Sequence, residues 1–348
     1  MIIEFALLYH SYDIILSEVM IVSHTSINGL MRHLRNNGIS INGSTQKRQL
    51  RNEGYFHGYK GYRFFRYPEH KINYTSYSEI HSTIEYDSKL KTLLYGKMMS
   101  IETALKSVVT ECIIDYDDSE EISNMLKLAI SSYQNCPPSS TEREKNTLQK
   151  QKLNIESIIR KQLQNNYKHR RINHYYKNSH YEDVPVWALI DVMMLGEFGT
   201  LVEGLTMDVR NRISKELDIS NHYDQQRHFI YDSIFTLKDL RNSIAHNSII
   251  FDARFKNYSI TPCVNNTLRN EIGLVFINFD SLDDYIILMS YMLKKLETPK
   301  REIITFINDY LKIVEWYENT VDSQISSAVI RNDCKTRMNQ LINYVKSN

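Results

Sequence analysis

The sequence is poor in residues that interrupt helices and in residues that form covalent cross-links. Its 348 residues include 11 glycines, six prolines and four cysteines. So few glycines and prolines among many long polar residues favour an all-α fold. The cysteines are far apart and form no CxxC pair, which argues against a zinc knuckle and against a disulfide framework. We therefore expect free thiols in a reducing, cytoplasmic setting.

Long apolar runs and the signatures of several enzyme classes are also absent from the sequence. Residues 1–8 are mostly apolar, but no basic segment precedes them and Glu4, His10 and Asp13 interrupt the pattern. We predict a packing helix there rather than a signal peptide or a membrane span. The chain has no glycine-rich phosphate loop, HExxH pair or nucleophile elbow, and its 12 histidines lack metal-ligand spacing. We expect no cofactor, no metal and no membrane partner.

The net charge is only +1, yet the basic residues are concentrated in two windows. Residues 32–71 contain nine Lys and Arg against two acids, and residues 143–177 contain ten against two. The rest of the chain is correspondingly acidic. Such an uneven distribution points to nucleic acid, rather than a charged small molecule, as the partner.

The basic windows also contain aromatic residues, a mixture typical of surfaces that bind RNA. Rings can stack on unpaired bases while cations hold phosphates. The candidate RNA-binding residues are Arg48, Arg51, Tyr55, Tyr59, Lys60, Tyr62, Arg63 and Arg66 in the first window and Lys168, Arg170, Arg171 and Lys177 in the second. Two alternatives stay open. The rings of the first window would instead pack the N-terminal unit onto the rest of the protein, and the charges of the second would form a solvated face.

The most distinctive stretch is residues 237–247, LKDLRNSIAHN, at the end of a helical pattern. Apolar residues recur at steps of three and four from Phe229 to Ile244, which predicts the buried stripe of an amphipathic helix. Arg241 and His246 lie beside or off this stripe, about 140° apart on an ideal α-helix. They can converge only if the helix ends, bends or tightens near Ala245, or if two copies of the motif face each other.

An arginine and a histidine in this arrangement suit the cleavage of RNA without a metal. Arg241 would stabilise the charge of the transition state, and His246 would carry a proton while the ribose 2′-hydroxyl attacks the phosphorus. Asn242 would hold the imidazole or a phosphate oxygen. The alternative is an ordinary helix C-terminus, where a basic residue and a histidine interact with the helix dipole.

The segment LRNSIAHN, followed by FDAR at residues 251–254, resembles the Abi-like (AbiD/AbiF) abortive-infection proteins. These belong to the HEPN superfamily of α-helical ribonucleases, whose motif is R-x4-6-H. The resemblance implies that Arg241 and His246 form the catalytic pair, supported by Asn242. Asn247 stands where the family usually has a second histidine, and Arg254 matches the arginine that ends the family's next segment. Asn247 and Arg254 are therefore candidates for auxiliary contacts.

Three further segments are similar to the same family. YDSKLK at residues 86–91 and IETALK at 101–106 match FD-x-x-L-R and IE-x-x-L-R, with lysine in place of both arginines. Glu102 would orient the catalytic pair or, as the alternative, form a structural ion pair. The segment starting at residue 185, PVWALID, matches the family's PVW segment, with Asp191 replacing a glutamate. We expect Trp187 to anchor the core and Asp191 to hydrogen-bond the motif helix.

Taken with the resemblance, these patterns predict an all-α fold of the HEPN helical-bundle type. The bundle would occupy 76–255 with a long basic insertion at about 117–180. An N-terminal helical extension would occupy 1–75, and the C-terminal region, 256–348, would hold a small hairpin at 258–261 and 274–279 with flanking helices.

The predicted function is that of a metal-independent endoribonuclease toxin in phage defence, paired with an antitoxin and forming a homodimer through the motif helices. There are two alternatives. One is an RNA-binding ribonucleoprotein component held by a small non-coding RNA antitoxin, and the other is a catalytically inactive RNA-binding HEPN protein.

Overall fold

The computed structural model describes residues 26–137, 139–177, 184–220, 222–256 and 260–347. These ranges fold almost entirely into helices, and strand-like pairing within them is limited to isolated bridges. The predicted all-α class is therefore confirmed. The packing helix predicted at residues 1–8 lies outside the described residues.

The α-helices of seven or more residues are numbered in chain order. They are α1 (Ile27–Asn36), α2 (Gly43–Glu53), α3 (Tyr77–Asp117), α4 (Glu142–Asn165), α5 (Arg170–Lys177), α6 (Val186–Val192), α7 (Leu195–Gly204), α8 (Met207–Glu216), α9 (Phe229–Ala245), α10 (Pro262–Ile272), α11 (Leu282–Lys295), α12 (Lys300–Thr320), α13 (Ser323–Val329) and α14 (Cys334–Lys346). A π-helical segment, Tyr55–Lys60, follows α2, and the short helical segments Ile122–Asn124, Met125–Ala129 and Tyr133–Asn135 lie between α3 and α4. None of these helices combines the length and apolar composition that a membrane crossing requires.

Residue contacts divide the chain into two units. The first comprises Met1–Glu85 with Tyr317–Ala328, and the second comprises Tyr86–Trp316 with Val329–Asn348. The first few turns of α3 therefore belong to the first unit and the remainder to the second. The domain boundaries drawn from the sequence, at residues 75 and 255, remain predictions.

The first unit has its core at the start of α3. Tyr77 and Ile80 are fully buried, as is Leu34 of α1. The Tyr77 hydroxyl donates a hydrogen bond of 2.6 Å to Glu53, and burial, reinforced by this carboxylate, raises the pKa of Tyr77. A tyrosine can be buried at low cost only when its hydroxyl finds such a partner. In this way α2 is joined to α3.

The second unit contains the motif helix α9 and the deeply buried helix α11. Every residue of α11 from Leu282 to Leu293 is buried. Helix α9 packs most extensively against α7, where a Cβ added to Gly199 would lie 2.6 Å from Cε2 of Phe235. The close approach of the two helices therefore requires glycine at this position. This packing fixes α9, whose last turns carry the candidate catalytic residues.

The C-terminal hairpin predicted from the sequence is not formed among the described residues. Residues 262–272 are helical, residues 274–279 contain no strand, and Tyr258 and Ser259 lie outside the described residues. The backbone N–H groups of Asn278 and Phe279 donate to the buried carboxylate of Asp284, at 3.1 and 2.7 Å, instead of to a neighbouring strand. The prediction was wrong because the apolar residues of this segment do not alternate between core and solvent as in a strand: Leu274, Ile277 and Phe279 are buried, whereas Val275 and Phe276 are both exposed.

Candidate active site

Helix α9 ends in a turn that places His246 immediately after the last helical residue. The N–H of His246 still donates to the Asn242 carbonyl at 2.9 Å, but Asn247 adopts a left-handed backbone with φ of 54°. The N–H of Ser248 then donates to the Ser243 carbonyl at 2.8 Å, and the N–H of Asn247 donates to the Ile244 carbonyl. This is a Schellman ending, in which asparagine is one of the few residues that tolerate the left-handed position. The helix thus ends beside Ala245, as convergence of Arg241 and His246 requires.

Arg241 is held by a carboxylate from α3. Its Nε lies 3.6 Å from Oε2 of Glu102, whose side chain is only 12% exposed. The other oxygen of Glu102 accepts a 3.0 Å hydrogen bond from Lys106, which also donates to the Met193 carbonyl at 2.6 Å. Glu102 therefore forms ion pairs with Lys106 and with Arg241. It is a structural ion-pair residue, as the alternative interpretation held, and one of its partners is the candidate catalytic arginine.

The groups available to a substrate are exposed at the end of α9. His246 and Asn242 are exposed, and the Arg241 side chain is 34% exposed. Within the described ranges, no hydrogen bond engages the His246 imidazole or the Arg241 guanidinium, whose Nε meets Glu102 only at ion-pair distance. A guanidinium whose Nε is paired with a carboxylate in this way can direct its terminal donors at an anion. The end of α9 therefore exposes a guanidinium that can bind a phosphate and, five residues later in the chain, an imidazole that can transfer a proton.

A second pair on α3 fixes the turn that follows His246. Oδ1 of Asp87, a fully buried carboxylate, accepts hydrogen bonds from the N–H groups of Ile250 and Phe251 at 2.8 and 2.7 Å. Its Oδ2 lies 2.7 Å from Nζ of Lys91, and Nζ donates to Oδ1 of Asn247 at 3.0 Å. Asn247 therefore anchors the end of the helix through its side-chain amide oxygen.

Asp87 and Lys91 are functional residues that the sequence motifs did not single out. The signal that could have found them is a repeated spacing: an acid precedes a lysine by four residues at Asp87–Lys91 and again at Glu102–Lys106. Side chains four apart lie on the same helix face, and both pairs form in the structure, at 2.7 and 3.0 Å. Each pair holds one end of the candidate catalytic segment.

A comparison with protein families supports the resemblance found in the motifs. A family model described as Abi-like protein matches residues 48–252, which is more than half of the chain and includes all of α9. The chain belongs to the Abi-like protein family. Membership points to a role in abortive infection, a form of phage defence. Searches of curated proteins and of solved structures found no significant match.

The predicted auxiliary residues of this Abi-like protein lie away from the catalytic pair or have other partners. Arg254 forms a bidentate ion pair with the buried Asp252, with bonds of 2.9 and 2.6 Å. Asp191 is 45% exposed and pairs with Arg171, so the hydrogen bond expected between Asp191 and the motif helix is not formed. Trp187 is 37% exposed and is not the expected core anchor. The buried face of α6 is supplied by Val186, Ala188, Leu189 and Ile190.

The aromatic candidates of the first basic window are largely buried in the first unit. Tyr55, Tyr59 and Tyr62 are each less than 10% exposed, so their rings pack inside the protein and are closed to nucleobases. The cations differ in exposure. Arg48 and Arg51 are exposed, whereas the others are half-buried, namely Lys60, Arg63 and Arg66. The packing role is thus favoured for these tyrosines. The exposed Arg48 and Arg51 remain candidates for RNA binding.

The second basic window of the Abi-like protein lies on the surface of the second unit. Its four predicted cations are all exposed: Lys168, Arg170, Arg171 and Lys177. Two tyrosines that the prediction omitted, Tyr167 and Tyr176, are 51% and 56% exposed among them. Exposed cations and exposed aromatic rings are therefore mixed on this surface. Among the described residues, no group of three or more His, Cys, Asp or Glu side chains is arranged to hold a metal.

Proposed function

We propose that this Abi-like protein is a metal-independent endoribonuclease of the HEPN type that acts in abortive infection. The observation that carries the proposal is the end of α9, where an exposed imidazole follows an arginine anchored by a shielded carboxylate. Arg241 and His246 are the proposed catalytic residues, Asn242 supports them, and Glu102 positions Arg241. The family match covers all four residues.

The proposed reaction is an internal phosphoryl transfer. The ribose 2′-oxygen forms a bond to phosphorus, the bond from phosphorus to the 5′-oxygen breaks, and a proton passes from the 2′-hydroxyl to the leaving oxygen. His246 transfers the proton, and the terminal nitrogens of Arg241 stabilise the negative charge on the phosphoryl oxygens. The products carry a 2′,3′-cyclic phosphate and a 5′-hydroxyl.

A homodimer would complete this site. The reaction needs a base at the 2′-oxygen and an acid at the 5′-oxygen, and one motif supplies a single imidazole. Two copies with their α9 ends facing each other would supply two imidazoles and two arginines to one cleft. We therefore include dimerisation through the motif helices in the proposal.

The decisive experiment compares His246→Ala and Arg241→Ala with the parent protein on labelled RNA in the presence of a chelator. We expect each variant to lose about 100-fold or more in cleavage rate, the usual contribution of such groups. His222→Ala, which removes an exposed histidine outside both basic windows, is the matched control. Cleavage by His246→Ala at the parental rate would rule out His246 and the proposed catalytic mechanism.

Mixing the two inactive variants tests the shared cleft. If each cleft draws groups from both protomers, mixed dimers regain cleavage. No recovery, despite subunit exchange shown by native mass spectrometry, means that each chain acts through its own pair.

A second candidate function is that of an RNA-binding ribonucleoprotein component, restrained by a small non-coding RNA antitoxin. The exposed cations and rings around α5 favour it. The purified protein should then carry RNA, seen as a high ratio of absorbance at 260 to 280 nm, which falls after washing in high salt. Protein free of nucleic acid at low salt would count against this function. Activity on pooled RNA separates the nuclease from an inactive RNA-binding protein.

A further inference from the structure

One face of α3 lies against the candidate catalytic segment, and Tyr95 is on it. At about 100° per residue, Tyr95 lies within about 40° of Lys91, Glu102 and Lys106 around the helix axis. Those three side chains are each only 12% exposed, because the segments that they hold cover them. Tyr95 is 51% exposed. The covering segments therefore leave an opening above this ring.

The opening falls between the two places where the catalytic segment is attached. Tyr95 follows Lys91 by four residues, about 6 Å along the axis, and precedes Glu102 by seven, about 10 Å. Lys91 holds Asn247, which adjoins His246 in the chain, and Glu102 holds Arg241. The ring of Tyr95 is thus at a level of α3 between the attachments of the two catalytic residues.

The surface next to this ring is bare. Gly96 lies in the middle of a 41-residue helix, where glycine costs helix stability relative to alanine. Apart from its chain neighbours and the backbone of its own helix, nothing lies within 4 Å of the position that a Cβ at Gly96 would occupy, so packing does not require the glycine. A flat aromatic ring beside exposed backbone leaves room for a planar group and the chain attached to it.

We propose that Tyr95 is a stacking platform for an unpaired nucleobase adjacent to the scissile phosphate, which makes single-stranded RNA the substrate class. The proposal rests on the nuclease function proposed above. A base of a continuous duplex is already stacked on its neighbours, whereas a single-stranded base is free to stack on a protein ring. Tyr95 binds the substrate in this scheme and takes no part in proton transfer.

The experiment measures binding of a fluorescent single-stranded oligonucleotide with 2′-deoxyribose at the cleavage site, which prevents cleavage. Tyr95→Ala should raise Kd by about 5- to 150-fold, the range for loss of one stacked base. Tyr95→Phe and Tyr95→Trp, which keep a ring, should bind like the parent. Tyr133→Ala, which removes another exposed ring of the second unit, is the matched control and should also bind like the parent.

Two further readouts separate stacking from a general structural effect. The fluorescence of Tyr95→Trp, measured against the parent, should be quenched by the oligonucleotide. In cleavage of RNA, Tyr95→Ala should raise KM by the same factor as Kd and leave kcat within about threefold, as expected for an interaction equal in ground and transition states. Tyr95→Ala should leave the Kd for a duplex of the same sequence unchanged.

The stacking proposal and the nuclease proposal fail in different ways. If the parent cleaves RNA but Tyr95→Ala binds the oligonucleotide as tightly as the parent, stacking is overturned and the nuclease stands. If the parent cleaves nothing but binding still depends on the ring, the nuclease is overturned and the base-binding site stands. An equal loss of duplex binding overturns the single-stranded substrate class, and a parent that binds neither form overturns the site.

Discussion

We expect Asp87→Ala to lower the free energy of unfolding of the second unit by about 2 to 6 kcal/mol. The carboxylate is fully buried and accepts from the N–H groups of Ile250 and Phe251, which belong to residues that are themselves buried. A buried donor that loses its acceptor costs about 1 to 3 kcal/mol, and alanine removes this acceptor from both N–H groups. The ion pair with Lys91 is lost as well.

Urea unfolding followed by tryptophan fluorescence is the suitable assay, because Trp187 and Trp316 both belong to the second unit. Asp87→Asn, which keeps one acceptor oxygen, should lower the free energy of unfolding less than Asp87→Ala does. Asp309→Ala is the matched control: its exposed pair with Lys312 should contribute no more than about 0.5 kcal/mol. If the free energy of unfolding of Asp87→Ala is within about 1 kcal/mol of that of the parent, the carboxylate does not hold the turn after His246.

Three further predictions concern packing and ionisation in the second unit. Gly199→Ala should lower the free energy of unfolding of the second unit by about 1 to 3 kcal/mol, because its methyl group would overlap Phe235. Gly196→Ala meets only a flexible lysine side chain and should leave this free energy nearly unchanged. Thermal unfolding of the two variants tests the difference. Burial raises the pKa of Asp232 to about 6, so the stability that its neutral form contributes is complete below pH 4 and is lost as the pH rises through 6. Urea titrations at pH 4.5 and 7.5 should therefore show Asp232→Asn gaining stability relative to the parent at the higher pH, and an unchanged difference would contradict this. Burial also raises the pKa of Cys112 to about 11, so iodoacetamide at pH 8 should leave it unlabelled until urea is added, as peptide mass spectrometry can show.

Several features of the candidate site could be read from the sequence because they depend on neighbours within a few residues. The stripe from Phe229 to Ile244 predicted a helix, and α9 spans Phe229–Ala245. Its end is encoded locally as well, since the closing bond joins Ser248 to Ser243, only five residues earlier. The charge windows were also visible, because the exposure of Arg and Lys follows from the cost of burying a charge.

Other expectations failed because a side chain's partner depends on which distant segment folds against it. Tyr55 and Trp187 are both amphipathic aromatic residues, yet the first is 6% exposed and the second 37%. Asp191 was expected to bond to the motif helix, but its helix presents it to Arg171. Residue spacing along the chain contains no information about such a choice.

The sequence by itself determined the helical class of this Abi-like protein, the positions of Arg241 and His246 and the place where their helix stops, because helix periodicity and termination are set by nearby residues. Only the tertiary structure decided what holds them. The lysine that anchors Asn247 is 156 residues away in the chain, and the carboxylate that holds Arg241 comes from the same distant helix. Contacts at that separation form only when packing of the apolar faces brings the two helices together, so they are properties of the folded chain.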